Sequence, residues 1–424
     1  MTKRDRKVSN KLNFLRKDYG KYVTGFFVIG LNMQLYEGIT LNEFTEDEFA
    51  TFVHEYIHFL QNITTTYGVT YFNDNSKIIQ LFVSESYKYE KKIPYPIDLE
   101  RCDVENAYEE MELRSFYYGD CKHKKIHHVN EVKKEKDEII NLIVLTEDLE
   151  SINIYYDDKE YPYVFGAACI QESMAYLIES EKFNGIKRNN ELPYNACELV
   201  CEQLCPNLKH RKDIIVALAE LSLMHCHSGM MFTELLNHIQ TEGIEFKNTN
   251  EVVKYLKKFI PHLFENYKNA YQETKETVEF LYPSATPFVN VNNWLHEELI
   301  KGFSFRNEFD NLISRIMDFT PRGSRMYFAD LVKIFRMPAL SDMDNNIYSS
   351  DYDLSLALVP IAIFNEYMEE EKQCYLYDYC KESKVSVFCN NCKSAPWQQS
   401  LQERLCPFAI FWNYYSLSGK SITK

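Results

Sequence analysis

His54, Glu55 and His58 spell H-E-x-x-H, the one place in the 424 residues where spacing alone dictates a chemistry. On a helix turning about 100° per residue the two histidines stand one turn apart on one face, where both imidazoles can bind one zinc ion. Glu55 falls beside them, placed to take a proton from a water molecule at that metal.

The chemistry depends on a helix, and the flanking sequence predicts one. Thr45 with Glu48 three residues on is a capping box, in which a hydroxyl and a carboxylate satisfy backbone donors of the first turn. Glu46, Asp47 and Glu48 suit the positive end of the helix dipole. Phe49, Phe52, Val53, Tyr56, Ile57 and Leu60 form an apolar stripe centred roughly 160° from the histidines, so one face is expected in a core and the other in a cleft. Gly68 is the expected exit from the helix.

Two histidines leave a catalytic zinc one protein ligand short, since such sites commonly have three and an open position. Glu172-Ser173-Met174-Ala175 lies on a second predicted helix, AACIQESMAYLIESEKF, opened by Gly166. A small residue one turn after the glutamate lets that helix approach the motif helix closely. In HEYIH and ESMA the chain resembles the glutamate-liganded zincins, the gluzincin group of zinc metallopeptidases. The resemblance implies Glu172 as third ligand, with Glu85 and Glu179 as alternatives. It departs from the group in two respects. His58 and Glu172 are separated by 114 positions, and Tyr176 follows Ala175 where several families carry an aspartate that supports a metal-bound histidine. Gluzincins commonly add a His or Tyr to stabilise the oxyanion; His225, His227 and Tyr327 are candidates, although capping or packing is the preferred role of both histidines.

The elements around these helices read as an α+β chain, predominantly α-helical, with a zincin-like core. Residues 1–20 form a basic arm. Residues 21–190 hold the core, with a polar insertion near 88–149 in which His123, His127 and His128 are read as solvated. A strand is expected over Tyr22–Gly30 and a β-hairpin over Ile152–Tyr156 and Tyr161–Phe165. Residues 191–310 are a helical region completing the cleft. There Cys197, Cys201 and Cys205 recur at four-residue steps and are read as core. Residues 311–424 are rich in cysteine and aromatics. Arg322 and Arg325 could anchor a substrate carboxylate or a structural acid. Cys389-Asn-Asn-Cys392 has the spacing of a structural zinc knuckle, to which Cys374, Cys380 and Cys406 could add thiolates, but reduced thiols in an aromatic core with Trp397, Phe408 and Trp412 are preferred.

Composition narrows the class further. Aromatics make up 15% of the chain, and Gly and Pro number only 13 each, as in a helix-rich globular protein. A net charge of −15 argues against a nucleic-acid-binding face. No apolar run reaches the roughly 18 residues needed to cross a membrane, and MTKRDRKVSNKLNF lacks the apolar centre of a secretory signal, so a cytoplasmic location is expected. The 12 cysteines are then read as reduced. The expected function is zinc-dependent hydrolysis of peptide bonds in a protein or peptide substrate, with room for a regulatory protein partner. Its rivals are a zinc-stabilised interaction scaffold without catalysis and a zinc hydrolase of a non-peptide amide.

Overall fold

A computed structural model describes residues 20–23, 28–35, 40–95, 107–136, 149–285, 287–308, 311–343, 347–348, 354–368, 373–382 and 390–423. The expected basic arm, Gly20 excepted, and Cys389 lie outside them, as do parts of the polar insertion.

The fold is α+β and predominantly helical. Its strands are β1 (Gly20–Val23), β2 (Val28–Leu31), β3 (Lys92–Pro94), β4 (Lys124–Lys125), β5 (Val129–Lys136), β6 (Glu150–Tyr156), β7 (Tyr163–Val164), β8 (Glu191–Leu192), β9 (Ala339–Ser341), β10 (Ile347–Tyr348) and β11 (Ser421–Thr423). They form small sheets ordered β1-β2-β9-β10, β5-β6-β7, β3-β11 and β4-β8. The principal helices begin with α1 (Glu46–Thr64), α2 (Thr66–Ser86), α3 (Ala107–Tyr118), α4 (Ala167–Lys182) and α5 (Ala196–Leu204). They continue with α6 (Lys212–Ser222), α7 (Ser228–Glu242), α8 (Thr249–Phe259), α9 (Leu263–Leu281), α10 (Val289–Glu308) and α11 (Pro321–Phe335). Shorter helices follow toward the C-terminus. No helix among the described residues is long and apolar enough to cross a membrane.

Helix α1 lies at the centre, against α2, α4, α10, β1 and β2. Its start is the expected capping box: the Thr45 amide donates to Glu48 Oε2 at 2.9 Å, and the Glu48 amide donates to Thr45 Oγ1 at 3.3 Å. The apolar stripe packs edge-on into an aromatic cluster with Phe44, Phe183 and Phe328. Its opposite face is covered too, because α4 lies across it. His54, Glu55 and His58 are therefore only 8%, 6% and 9% exposed, and the expected open cleft face is instead an interior one.

Two expectations about chain path change. The strand over residues 22–30 is a hairpin, with β1 antiparallel to β2 and Val23 opposite Val28. Folding back lets β2 pair with β1 on one side and, in parallel, with β9 on the other, so its backbone groups are met on both edges. Gly68 does not end α1. The helix stops at Thr65, whose extended backbone turns the chain directly into α2 and whose hydroxyl caps the Gly68 amide at 3.1 Å. A β-carbon at Gly68 would stand 2.3 Å from the Gln61 carbonyl oxygen and 2.5 Å from Asn62 Cα, so the glycine allows the first turn of α2 to rest on the last turns of α1. The hairpin around residues 152–165 is present as β6-β7, with β5 added to its outer side.

Candidate metal centre

Helices α1 and α4 bring the predicted ligands together. Ala175, fully buried, permits the close approach that the E-x-x-A spacing suggested. His54 Nε2 lies 3.2 Å from His58 Nε2 and 3.2 Å from Glu172 Oε2, and His58 Nε2 lies 3.6 Å from Glu172 Oε1. This is the sole group of three His, Cys, Asp or Glu side chains among the described residues whose ligand atoms fall within 4.8 Å of one another. The Glu172 side chain is 32% exposed, which makes its flank the solvent-facing side of the site.

The far side of each imidazole decides what the near side can do. His54 Nδ1 stands 2.9 Å from Glu179 Oε2. His58 Nδ1 stands 2.8 Å from Gln61 Oε1, and the Gln61 amide nitrogen donates to the Gln171 carbonyl at 3.1 Å, fixing which end of that side chain faces the ring. Both Nδ1 atoms therefore face acceptors and carry the hydrogen when the rings are neutral. Both Nε2 atoms then present lone pairs to each other and to a carboxylate. In that state three electron-pair donors with no hydrogen between them repel; a proton on one Nε2 or a shared cation removes the conflict.

Electrostatics reflect this crowding. Burial disfavours charge on His54, yet hydrogen bonds to Glu172 and Glu179 and the nearby Glu55 hold its protonated form well above the usual imidazole range. Burial likewise works against ionised Glu172, but the two histidines outweigh it and keep the carboxyl well below its ordinary range. Burial pushes Glu55 up to about 7 against the pull of His54 and His58.

Of the alternative ligands, Glu179 supports His54 from behind rather than joining the group, and Glu85 pairs with Lys88 at 2.8 Å on α2. The oxyanion candidates are engaged elsewhere. His227 caps α7, accepting from the Met230 amide at 3.3 Å, and its other nitrogen meets the Glu150 carbonyl at 2.9 Å. His225 accepts from the His227 amide at 3.1 Å, while the Tyr327 hydroxyl donates to the Leu312 carbonyl at 3.0 Å. Arg325 stacks on Phe49 at 4.3 Å. His123 pairs with Glu191 at 3.0 Å with its ring half exposed. Cys197, Cys201 and Cys205 are buried core residues, as are Cys374, Cys380, Cys392 and Cys406.

No family model, curated protein or solved structure matches the chain. The likeness to zincins thus rests on HEYIH, ESMA and the side chains they bring together.

Just outside the three lie Gln61 and Tyr194, which sequence reasoning missed, and Glu179, which it named as an alternative ligand and not as a support for His54. Gln61 is three positions after His58, one turn along the same helix. Glu179 is seven after Glu172, a spacing that returns to within about 20° of the same helical face and could have marked it as a second inward carboxylate. Tyr194, whose ring lies 6.2 Å from that of His54 and under the Arg188 guanidinium at 4.1 Å, carried no advance signal.

Proposed function

We propose that this chain is a zinc-dependent peptidase acting on a protein or peptide substrate, with zinc held by His54, His58 and Glu172 and with Glu55 as general base. The observation that carries this reading is the convergence of two Nε2 atoms and a carboxylate while both Nδ1 atoms are tied to acceptors. The donor set fits the metal. Ligand atoms at about 2.0–2.1 Å from a tetrahedral zinc are about 3.4 Å apart; here the two Nε2 atoms are 3.2 Å apart, and His54 and His58 lie 3.2 and 3.6 Å from Oε2 and Oε1 of Glu172, one carboxylate oxygen each. Three protein ligands are the number that leaves a position free, and the partly exposed Glu172 gives that position a route to solvent.

When bound, the zinc would supply a Lewis acid that acidifies water and polarises the scissile carbonyl. The chain's own groups do the remainder. Glu179 and Gln61 orient the two imidazoles through Nδ1–H. Glu55 follows His54 directly, so its carboxylate accepts the proton of the attacking water and passes it to the leaving nitrogen. Burial keeps bulk water from competing for that proton. Metal analysis of the purified chain should find one zinc at this site, absent from a His54→Ala/His58→Ala variant. A search for new protein termini in cells expressing wild type beside Glu55→Gln should find cleavages only with wild type. Equal cleavage by both, with zinc present in both, would overturn the mechanism.

A further inference from the structure

We infer that Gly185 is a positioning residue, whose missing side chain holds the Glu179 carboxylate against His54. The inference deepens the metal-site reading and is testable apart from it. Helix α4 ends at Lys182, and the chain then doubles back. The amides of Phe183 and Gly185 both donate to the Glu179 carbonyl, at 3.0 and 3.2 Å. Between them Asn184 takes the left-handed conformation, with φ of 57°. This lays the Gly185 backbone directly against the Glu179 side chain. A β-carbon at position 185 would stand 2.4 Å from Glu179 Cγ, 2.4 Å from Oε1 and 2.6 Å from Cδ, closer than non-bonded carbon and oxygen atoms tolerate.

The usual reason for a glycine after a helix is a left-handed backbone. That role belongs to Asn184 here, and Gly185 is not among the positive-φ residues. An alanine at 185 is therefore permitted by the backbone, and the three nearest atoms its β-carbon would meet all belong to one flexible side chain. The atoms it would displace are those that place Oε2 at 2.9 Å from His54 Nδ1. Arg188, near enough to feel the Glu179 charge, offers a displaced carboxylate another partner. Gly185→Ala thus moves a support of the metal site without altering any ligand or the fold that carries them.

Two measurements test this. In a chelator competition, Gly185→Ala and Glu179→Ala should each weaken zinc binding about 10- to 100-fold, the range for lost support of a ligating histidine. Because both act through one contact, Glu179→Ala/Gly185→Ala should bind no more weakly than Glu179→Ala. Wild-type affinity in Gly185→Ala, or losses that multiply in the double variant, would overturn the inference. In metal-free protein the hydrogen-bonded Nδ1 proton of His54, assigned by its loss in His54→Gln, should give an NMR signal in wild type that disappears in Gly185→Ala. Its persistence would overturn the inference as well. Wild type that takes up no zinc but shows this proton difference would sink the peptidase reading and leave the role of Gly185 standing.

Discussion

Two clusters of ionisable side chains are buried along helix α1, and they solve the problem of buried charge in opposite ways. At its C-terminal end Arg306 and Glu220, 1% and 0% exposed, pair at 2.6 Å. Glu220 also accepts from the amides of Leu312, Ile313 and Ser314 at 3.0, 3.0 and 2.7 Å, and Arg306 donates to the Thr64 carbonyl and, at 3.2 Å, to the Thr64 hydroxyl. Donors and acceptors meet throughout, which is what a buried ion pair needs to be tolerated. About two to three turns back, His54, His58 and Glu172 crowd two imidazole nitrogens and a carboxylate together. Burial of charge is common to both clusters. The first is closed by donors matched to acceptors; the second depends on a proton on His54, or on a cation in its place.

The largest effect that would break this contrast belongs to Glu55. Glu55→Gln should cut hydrolysis by about 10²–10⁴-fold while zinc content is unchanged, as expected for loss of a general base; rates on whatever substrate the terminus search yields would show it. Arg306→Met should cost about 3–5 kcal/mol in urea unfolding, since it strands Glu220 without its cation. The double variant Glu220→Gln/Arg306→Met, which keeps an acceptor for the three amides, should recover much of that loss, and an equal or larger cost would mean that the pair is not the closed unit described. Zinc should act on the other cluster: at free zinc 100 times Kd the chain should gain about 2.7 kcal/mol over its metal-free form, read as a rise in thermal midpoint. Gln61→Leu should weaken zinc about tenfold by releasing the His58 ring, measured by the same chelator competition.

The smallest effect concerns pH. Glu220 is buried, but Arg306 and the amides of Ile313 and Ser314 outweigh burial and lower its pKa in the fold. A depressed carboxyl contributes stability that is present above the unfolded value of about 4.3 and is lost as pH falls through the lower folded value. Glu220→Gln should therefore flatten the stability profile below about pH 4.3 and leave its shape near neutrality unchanged. Chemical denaturation at successive pH values would reveal an unaltered acid limb if the pair contributes nothing.

What the sequence disclosed follows the range of each interaction. HEYIH, its capping box and its apolar stripe are contacts within a few turns, and all were legible. Glu172 was reachable through the resemblance of ESMA to the gluzincin third-ligand pattern, whose small residue one turn on lets two helices pack closely. The support of Glu179 was not, because it depends on how α4 is rotated against α1; the absent aspartate at Tyr176 pointed away from any such partner. Here a longer side chain placed almost a turn later reaches the ring instead. The Glu220–Arg306 pair joins α6 to α10, and neither segment announces a partner. His225 and His227 were drawn to a helix start where backbone donors needed acceptors, a local demand that their preferred role anticipated. The hairpin of β1 and β2 hid within one apolar run because pairing partners leave no trace in periodicity.

The end of helix α1 has one more consequence. Last-turn carbonyls of a helix usually face water and fray; here Leu60 and Gln61 receive the hydroxyls of Thr64 and Thr65, Ile63 that of Tyr267, and Thr64 the Arg306 guanidinium. The terminus nearest the candidate ligands is riveted to α9 and α10. Its amides should exchange with deuterium only when the whole molecule opens, so the slowest-exchanging protons of the chain should lie in the turns that carry the candidate site.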